Sequence, residues 1–539
     1  MHPSAYSESL EHLGLVAGMF DELGIGEVID RATQQDPEQR IVTLGNAVKA
    51  MVLNGLGFVN QQLYLVPMFF QNKPTQRLIA PGIDATHLND DTLGRALDTL
   101  YAHGVTELYA LIATTAAQRL GLTPSVVHLD STSFHVDGRY NSGEEPDEHV
   151  IHITQGYSRD HRPDLNQVML DLIVEHQAGI PMLMKPLSGN TSDASDFGQV
   201  VTHHITHLQT AHGLAYLVAD SALYSAENLQ QFTQTRLKWI TRVPATLTAA
   251  QDALAQADPQ AMLPLMEGYR YQLLASHYGG IAQRWIMIYS ERRRPQAQRT
   301  VDKHWLKQST TEAKAFQKLC RTAFACEADA QQALSTFTQN LKATSLQEVT
   351  IRPVSRYAKR GRPGQTTPPN QLVYHIDGAM TSSLAIRNAL VAQKSCFILA
   401  TNDLDSPTLS PLELLEGYKG QKHAERGFRF LKDPLFLASS LYLKKPQRIM
   451  ALLMVMTVCL LVYAALEYRI RNALKAHQTT FPNQKGQPGQ NPTARWVFQY
   501  FVSIHLLHMP GEGAFVLNLN DQHRQLLRIL GRRYEVFYS

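Results

Sequence analysis

Two apolar runs that each end in an aspartate constrain this chain more than any other feature. SVVHLD closes on Asp130, and LAYLVAD closes on Asp220. Short apolar runs of this length, rich in β-branched residues and bounded by turn residues, read as buried strands. The surrounding pattern alternates. SVVHLDSTSFHV, HITQGYS and NQVMLDLIVEH read as strands, and the turn AGIP leads into PMLMKPLSGN. A helix is expected over residues 191–212, capped by Ser192 or Asp193. LAYLVAD is a strand, SAENLQQFTQTR is a helix opening with Ser225-x-x-Asn228, and KWITRVPA is again a strand. Such alternation predicts a mixed α/β layer fold. Each aspartate falls at or beside the carboxyl end of its strand, where α/β sheets place ligand sites. The ordinary alternative for each alone is a turn or helix cap. Asp137, in a Gly-rich turn beyond the strand, is a rival to Asp130.

A third carboxylate stands on a polar helix. Tyr418, Gln421, Glu425 and Lys432 are spaced by three, four and seven residues. At about 100° per residue they fall within an arc of roughly 60°. Glu416 lies on roughly the opposite face. Gly417, Gly420 and Gly427 leave little side-chain bulk, which would suit close approach of a ligand backbone, and Pro434 stops the helix. The competing reading is a solvated face with i,i+4 charge pairs. SCFILATND, a buried strand, leads directly into this helix.

Composition narrows the classes. At 539 residues two to four domains are expected. The net charge of +3 excludes a global polycation, so contact with nucleic acid must come from local patches. The four cysteines form neither a CxxC nor a disulfide framework, which fits a reducing, cytoplasmic setting. The 22 histidines show no zincin or zinc-finger spacing. MHPSAYSESLEHLG lacks the basic and apolar regions of a signal peptide. Ile449 to Leu466 is an uncharged apolar stretch at the lower limit for a membrane span. With no second such stretch, it reads as a helix buried in a large domain, with no membrane involved.

Asp130, Asp220 and Glu425 together offer hard oxygen ligands of the kind that suit Mg²⁺ or Mn²⁺. Two such ions activate an attacking oxygen and stabilise a leaving one, which is phosphodiester chemistry. HLDSTSF, ADSALYSAENL and Y-x2-Q-x3-E-x6-K resemble the three motif regions of bacterial insertion-sequence DDE transposases. The last resembles the Y-R-E-K signature of the insertion-sequence-four superfamily. HLNDDTLGRALDTLYAHG is similar to the helical N-terminal domain of one subgroup.

The resemblance implies an RNase H-like mixed-sheet catalytic core interrupted by a β-rich insertion, behind an all-α N-terminal domain. The expected units are 1–121 (helical, for DNA binding or oligomerisation), 122–245 and 393–476 (the core), 246–392 (the insertion) and 477–539 (linker and C-terminal unit). It also implies that Asp130, Asp220 and Glu425 hold two Mg²⁺ or Mn²⁺ ions. Tyr418 and Lys432 would contact phosphates of the transposon end. Gln421 replaces the signature arginine, and an amide gives no bidentate charged contact; Arg426 and Arg429 are the nearby candidates for that role. The implied partner is double-stranded DNA, both terminal repeats and target, bound by a homodimer. The implied reaction is hydrolysis at the transposon end followed by attack of the freed 3′-hydroxyl on target DNA. Two alternatives stay open: an RNase H-like nuclease without strand transfer, and an inactive DNA-binding descendant.

Basic patches add to the DNA reading. Arg360-Gly361-Arg362-Pro363 resembles an AT-hook core, which lies in a narrow A·T minor groove. Glu291-Arg292-Arg293-Arg294 follows an expected strand and offers phosphate contacts, although such runs are usually solvated faces.

Overall fold

The computed structural model describes residues 5–34, 40–58, 65–136, 140, 150–156, 162–191, 209–210, 213–357, 370–433 and 443–539. Among these, nine strands form one mixed sheet. In chain order they are β1 (Val126–Val136), β2 (Asn166–Glu175), β3 (Pro181–Ser188), β4 (Tyr216–Ala219), β5 (Lys238–Arg242), β6 (Leu263–Met266), β7 (Tyr269–Tyr278), β8 (Ile281–Ser290) and β9 (Cys396–Thr401). Their spatial order is β3-β2-β1-β4-β5-β9-β8-β7-β6. The first three strands are antiparallel neighbours. β1, β4 and β5 are parallel. This is the RNase H-like arrangement of a mixed α/β core.

The core does not end at β5. β9 pairs antiparallel with β5 on one side and with β8 on the other. Strands from the expected insertion therefore prolong the same sheet. Among its described residues, 152–156, HITQGYS forms no strand; an isolated bridge joins Thr154 to Gln167. The expected helix over 191–212 lies almost entirely outside the described residues, as do Asp137, Pro434, Arg360 and Arg362. The rest of the insertion folds as two helices, Arg294–Arg321 and Glu327–Gln339, against a two-stranded ribbon, Thr344–Arg356 with Gln371–Ser382. Phe316, Ala330 and Ile376 form a small core of its own.

Three helices follow β9: α1 (Pro411–Lys419), α2 (Lys422–Leu431) and α3 (Pro446–Ala476). Ser410 and Glu413 form a capping box at the start of α1, with Pro411 in its first turn. α1 packs over β4 and β5, and α2 over β1 and β2. Val218, Ile240 and Leu399 of the sheet and Leu414 and Leu415 of α1 make the apolar layer between them.

α3 contains the apolar stretch, and 94% of its most apolar window is buried inside the protein. It touches four helices of the N-terminal region, Leu13–Glu22, Leu44–Leu56, Asp90–Ala102 and Val105–Arg119. It also touches β3, α2 and the helices Ala494–Tyr500 and Asp521–Leu530. A helix apolar on all sides needs such surroundings.

Candidate active site

The register of the parallel strands places the two aspartates. Leu129 of β1 lies opposite Ala219 of β4, and Ala219 lies opposite Thr241 of β5. The next residue in each strand or at its end is Asp130, Asp220 and Arg242. Adjacent strands are about 4.8 Å apart, and residues at one register position share a face. An Asp–Asp–Arg row therefore crosses the three parallel strands, just past the end of β4, on the last residue of β5 and inside β1, which runs on to Val136 beyond the expected end at Asp130. Its face is the one that carries Val218 and Ile240, two residues earlier in β4 and β5, and so the face covered by α1.

Local hydrogen bonds orient the carboxylates. Asp130 accepts the Ser131 N–H at 2.9 Å. Asp220 caps the turn Ser221–Leu223, accepting the Ala222 N–H at 2.9 Å. Thr241 donates to the Asp220 carbonyl at 2.6 Å, tying β4 to β5 just below the row. Both aspartates are half-buried.

α2 runs along β1. A Cβ at Gly420 would stand 2.8 Å from His128 Nε2, and Lys432 Nζ is 5.9 Å from the centre of the Phe134 ring. Gly420 to Lys432 spans about 18 Å of helix, and His128 to Phe134 about 20 Å of strand. The two elements thus advance together, and Glu425 comes level with Asp130. Gln421, Glu425, Phe428 and Lys432 recur at helical spacing on the side that meets this strand. Glu425 is exposed. Among the described residues, no group of three or more His, Cys, Asp or Glu side chains gathers closely enough to hold a metal ion. The two aspartates are side by side, and Glu425 is level with them without closing on them. Two adjacent carboxylates at an open sheet edge supply hard oxygen donors and leave room for water, which fits Mg²⁺.

The helix differs from the single stripe expected. It breaks at Gly420–Gln421, where Gln421 N–H bonds Tyr418 O and His423 N–H bonds Gly420 O, three residues apart in each case. Gln421 is 8% exposed and serves as the uncapped N-terminus of α2. Lys432 is the C-cap of α2. The glycines serve packing within the protein and do not make room for a ligand. Gly420 faces His176 and His128, Gly427 faces Leu460, and Gly417 faces Ile240. His128 Nε2 and His176 Nδ1 are 2.9 Å apart, and the His176 and His423 rings are 6.0 Å apart. Burial, then the neighbouring His176 and His423, pushes the His128 pKa down to about 3. This neutral histidine cluster sits under the break in the helix.

The two arginines proposed as substitutes for the signature arginine differ in what they touch. Arg426 is held by Glu467 of α3 at 3.1 Å, and Glu467 also binds Arg471 at 2.6 Å and the Ala494 N–H at 3.0 Å. Arg426 is thus committed to α3, behind α2, and does not reach toward β1. Arg429 is exposed and lines a cavity of about 400 Å³ on that same rear side, with Arg471, Lys475 and Arg495.

Tyr418 joins the Asp–Asp–Arg row from above. Burial raises its phenol pKa, with Arg242 and Arg293 pulling it down and Asp220 pushing it up. Its ring lies 6.4 Å from that of Phe397.

Residues 121–462, more than half of the chain, match the family model described as Transposase DDE domain. The chain belongs to the DDE transposase family. Residues 5–114 match a domain of unknown function, DUF4277. No curated protein matches the chain. Among solved structures, a piggyBac transposase synaptic complex with hairpin DNA is similar at 9% identity and a TM-score of 0.35. The match covers 93% of this chain and 83% of that one.

Sequence reasoning missed two residues that shape the candidate site. His128 is hidden because a histidine inside an apolar run has no spacing partner in sequence. Arg242 carried a usable signal: it closes the run KWITR as Asp220 closes LAYLVAD.

Proposed function

We propose that this chain cuts DNA at transposon ends and joins the freed 3′-hydroxyl to target DNA. The reading is carried by one observation: Asp130 and Asp220 adjoin where the parallel pairing of β1 and β4 stops, with the helix that bears Glu425 packed over β1. In this reading Asp130 and Asp220 hold two Mg²⁺ or Mn²⁺ ions, and Glu425 completes the set when α2 moves about its Gly420–Gln421 break as DNA binds. The ions would lower the pKa of a bound water and stabilise the departing oxygen. Water attacks a phosphodiester at the transposon end, the bond between phosphorus and the 3′ oxygen breaks, and a 3′-hydroxyl is released. That hydroxyl then attacks a target phosphodiester and displaces its 3′ oxygen. Tyr418 and Lys432 orient the strand through its phosphates, on either side of Glu425. The partner is double-stranded DNA, and a homodimer would bring two ends together.

The test is Mg²⁺-dependent cleavage of a duplex carrying the element's own terminal repeat, with Glu425→Gln in parallel. Cleavage at the repeat boundary that the variant lacks supports the reading. Cleavage without joining to a second duplex would make the chain a nuclease. Binding with no cleavage by either protein would make it a DNA-binding descendant.

A further inference from the structure

Two arginines meet at the catalytic edge without a carboxylate between them. Arg242 ends β5, level with Asp220. Arg293 ends the short turn Glu291–Arg293 after β8. β8 is antiparallel to β9, and β9 is antiparallel to β5, so β8 runs parallel to β5 and delivers Arg293 to the same sheet edge. Both guanidiniums stand over the Phe397 ring, at 5.8 Å for Arg242 and 5.1 Å for Arg293. Burial depresses the Arg293 pKa, and the charge of Arg242 depresses it further. The groups that oppose this are the Tyr418 phenol, the Cys396 thiol and the Tyr269 phenol. Burial pushes Cys396 up to about 12, and Tyr418 is raised, so neither supplies a negative charge near neutral pH. Among the described residues, no carboxylate lies within ion-pair distance of either arginine.

Two like charges held together in a half-buried place repel one another unless an anion joins them. A planar guanidinium is suited to a phosphate, which it binds through paired N–H donors. We propose that Arg242 and Arg293, with the Tyr418 hydroxyl, form a binding site for a DNA phosphodiester beside the carboxylate pair. The proposal rests on the transposase reading and names residues for it. It accounts for Gln421, which is buried at the helix break, and for Arg426, which is tied to Glu467. The arginine contact that Gln421 does not make comes from the end of β5 and from the turn after β8. The expected insertion, 246–392, then does more than extend the sheet, because it carries Arg293, one arm of the phosphate clamp.

The experiment uses the full chain and measures equilibrium binding to a random-sequence duplex and to a terminal-repeat duplex over a range of KCl. The proteins are wild type, Arg242→Gln, Arg293→Gln and Arg293→Lys. Each Gln variant is expected to lower the slope of log K against log salt by about 0.9, the value for one lost phosphate contact on duplex DNA. Arg293→Lys should keep the slope while binding more weakly, since the charge stays and the fork is lost. A loss on the terminal-repeat duplex alone assigns the site to the transposon-end strand, and a loss on both duplexes assigns it to any DNA backbone, the target included. The two arginines sit on separate elements, so failure of one variant to fold leaves the other as the test. Slopes unchanged in a folded Gln variant would overturn the site. Glu425→Gln cleavage reports on the transposase reading itself, so the two ideas fail separately.

Discussion

Asp220 has two jobs that one substitution separates. Its carboxylate caps the turn after β4 through the Ala222 N–H, and it stands in the row with Asp130. An asparagine keeps an acceptor for the cap and removes the charge. Asp220→Asn should therefore unfold within about 0.5 kcal/mol of wild type. Mg²⁺-dependent cleavage should fall by more than about 100-fold, beyond the range for losing a residue that merely supports a metal ligand. Paired thermal melts and cleavage rates check this. His12 gives a second prediction, on stability and pH. It is buried, its Nε2 is 2.8 Å from the Leu56 carbonyl, and its ring stacks on Phe498 at 4.3 Å. Burial pushes its pKa down to about 4. The unfolded chain protonates this imidazole near pH 6.5. Between pH 6.5 and 4 the unfolded state therefore binds the extra proton. The stability due to a neutral His12 is complete above that window and declines as pH falls through it, by about 1.4 kcal/mol per pH unit. Unfolding free energies from urea titrations at pH 7 and pH 5 should differ less in His12→Gln than in wild type, by about 2 kcal/mol.

At the scale of elements, the break between α1 and α2 decides how the third carboxylate is presented. Gly420 is required by close approach: a Cβ there would lie 2.3 Å from His176 Nδ1 as well as crowding His128. Gly420→Ala should cost about 1–3 kcal/mol and displace α2. Gly417→Ala, whose Cβ would meet only Ile240 Cδ1 at 3.4 Å, should fold normally and gain slightly from helix propensity. Denaturant unfolding of the two variants makes the comparison. This break shows where sequence reading stops. The spacing of Tyr418, Gln421, Glu425 and Lys432 gave helical structure on both sides of Gly420, because helical periodicity is local, but not that Tyr418 lies on α1 and the other three on α2 or its caps. It could not give the kink, which depends on two histidines from β1 and the residue after β2. The end of β4 was legible for the same local reason, an apolar run followed by a charge; the same signal at Asp130 marked only where the parallel pairing of β1 stops, since β1 continues to Val136. What was hidden is long-range pairing. That β9 slots between β5 and β8, and so brings Arg293 to the edge, follows from contacts more than 100 residues apart in sequence.

At the scale of the molecule, α3 makes one body of regions that sequence separates. Its buried Glu467 gathers Arg426 of α2, Arg471 of its own next turn and the N–H of Ala494. Residues 534–538 close the far side of the same body against the helix Leu13–Glu22. Tyr538 accepts the Leu15 N–H at 3.2 Å and donates to the Glu11 carbonyl at 2.7 Å. Tyr534 donates to Glu22 at 2.6 Å, and Glu22 binds Arg469 of α3 at 3.0 Å. Gly18 lets this packing form, since a Cβ there would be 2.7 Å from the Tyr534 ring. If these contacts hold the N-terminal helices in place, losing the Tyr538 ring should be felt 500 residues away. Truncating a fully buried aromatic costs about 3–5 kcal/mol. Tyr538→Ala should then speed amide exchange in Leu13–Glu22 by two to three orders of magnitude, with each tenfold worth about 1.4 kcal/mol. Exchange in the core strands β1 and β4, which touch neither tyrosine, should change far less. Unchanged protection in Leu13–Glu22 would mean that the N-terminal helices fold without the C-terminal residues. The contact between them would then be a docking of two finished units, across α3 and the pairing of Tyr6–Ser9 with His505–Met509.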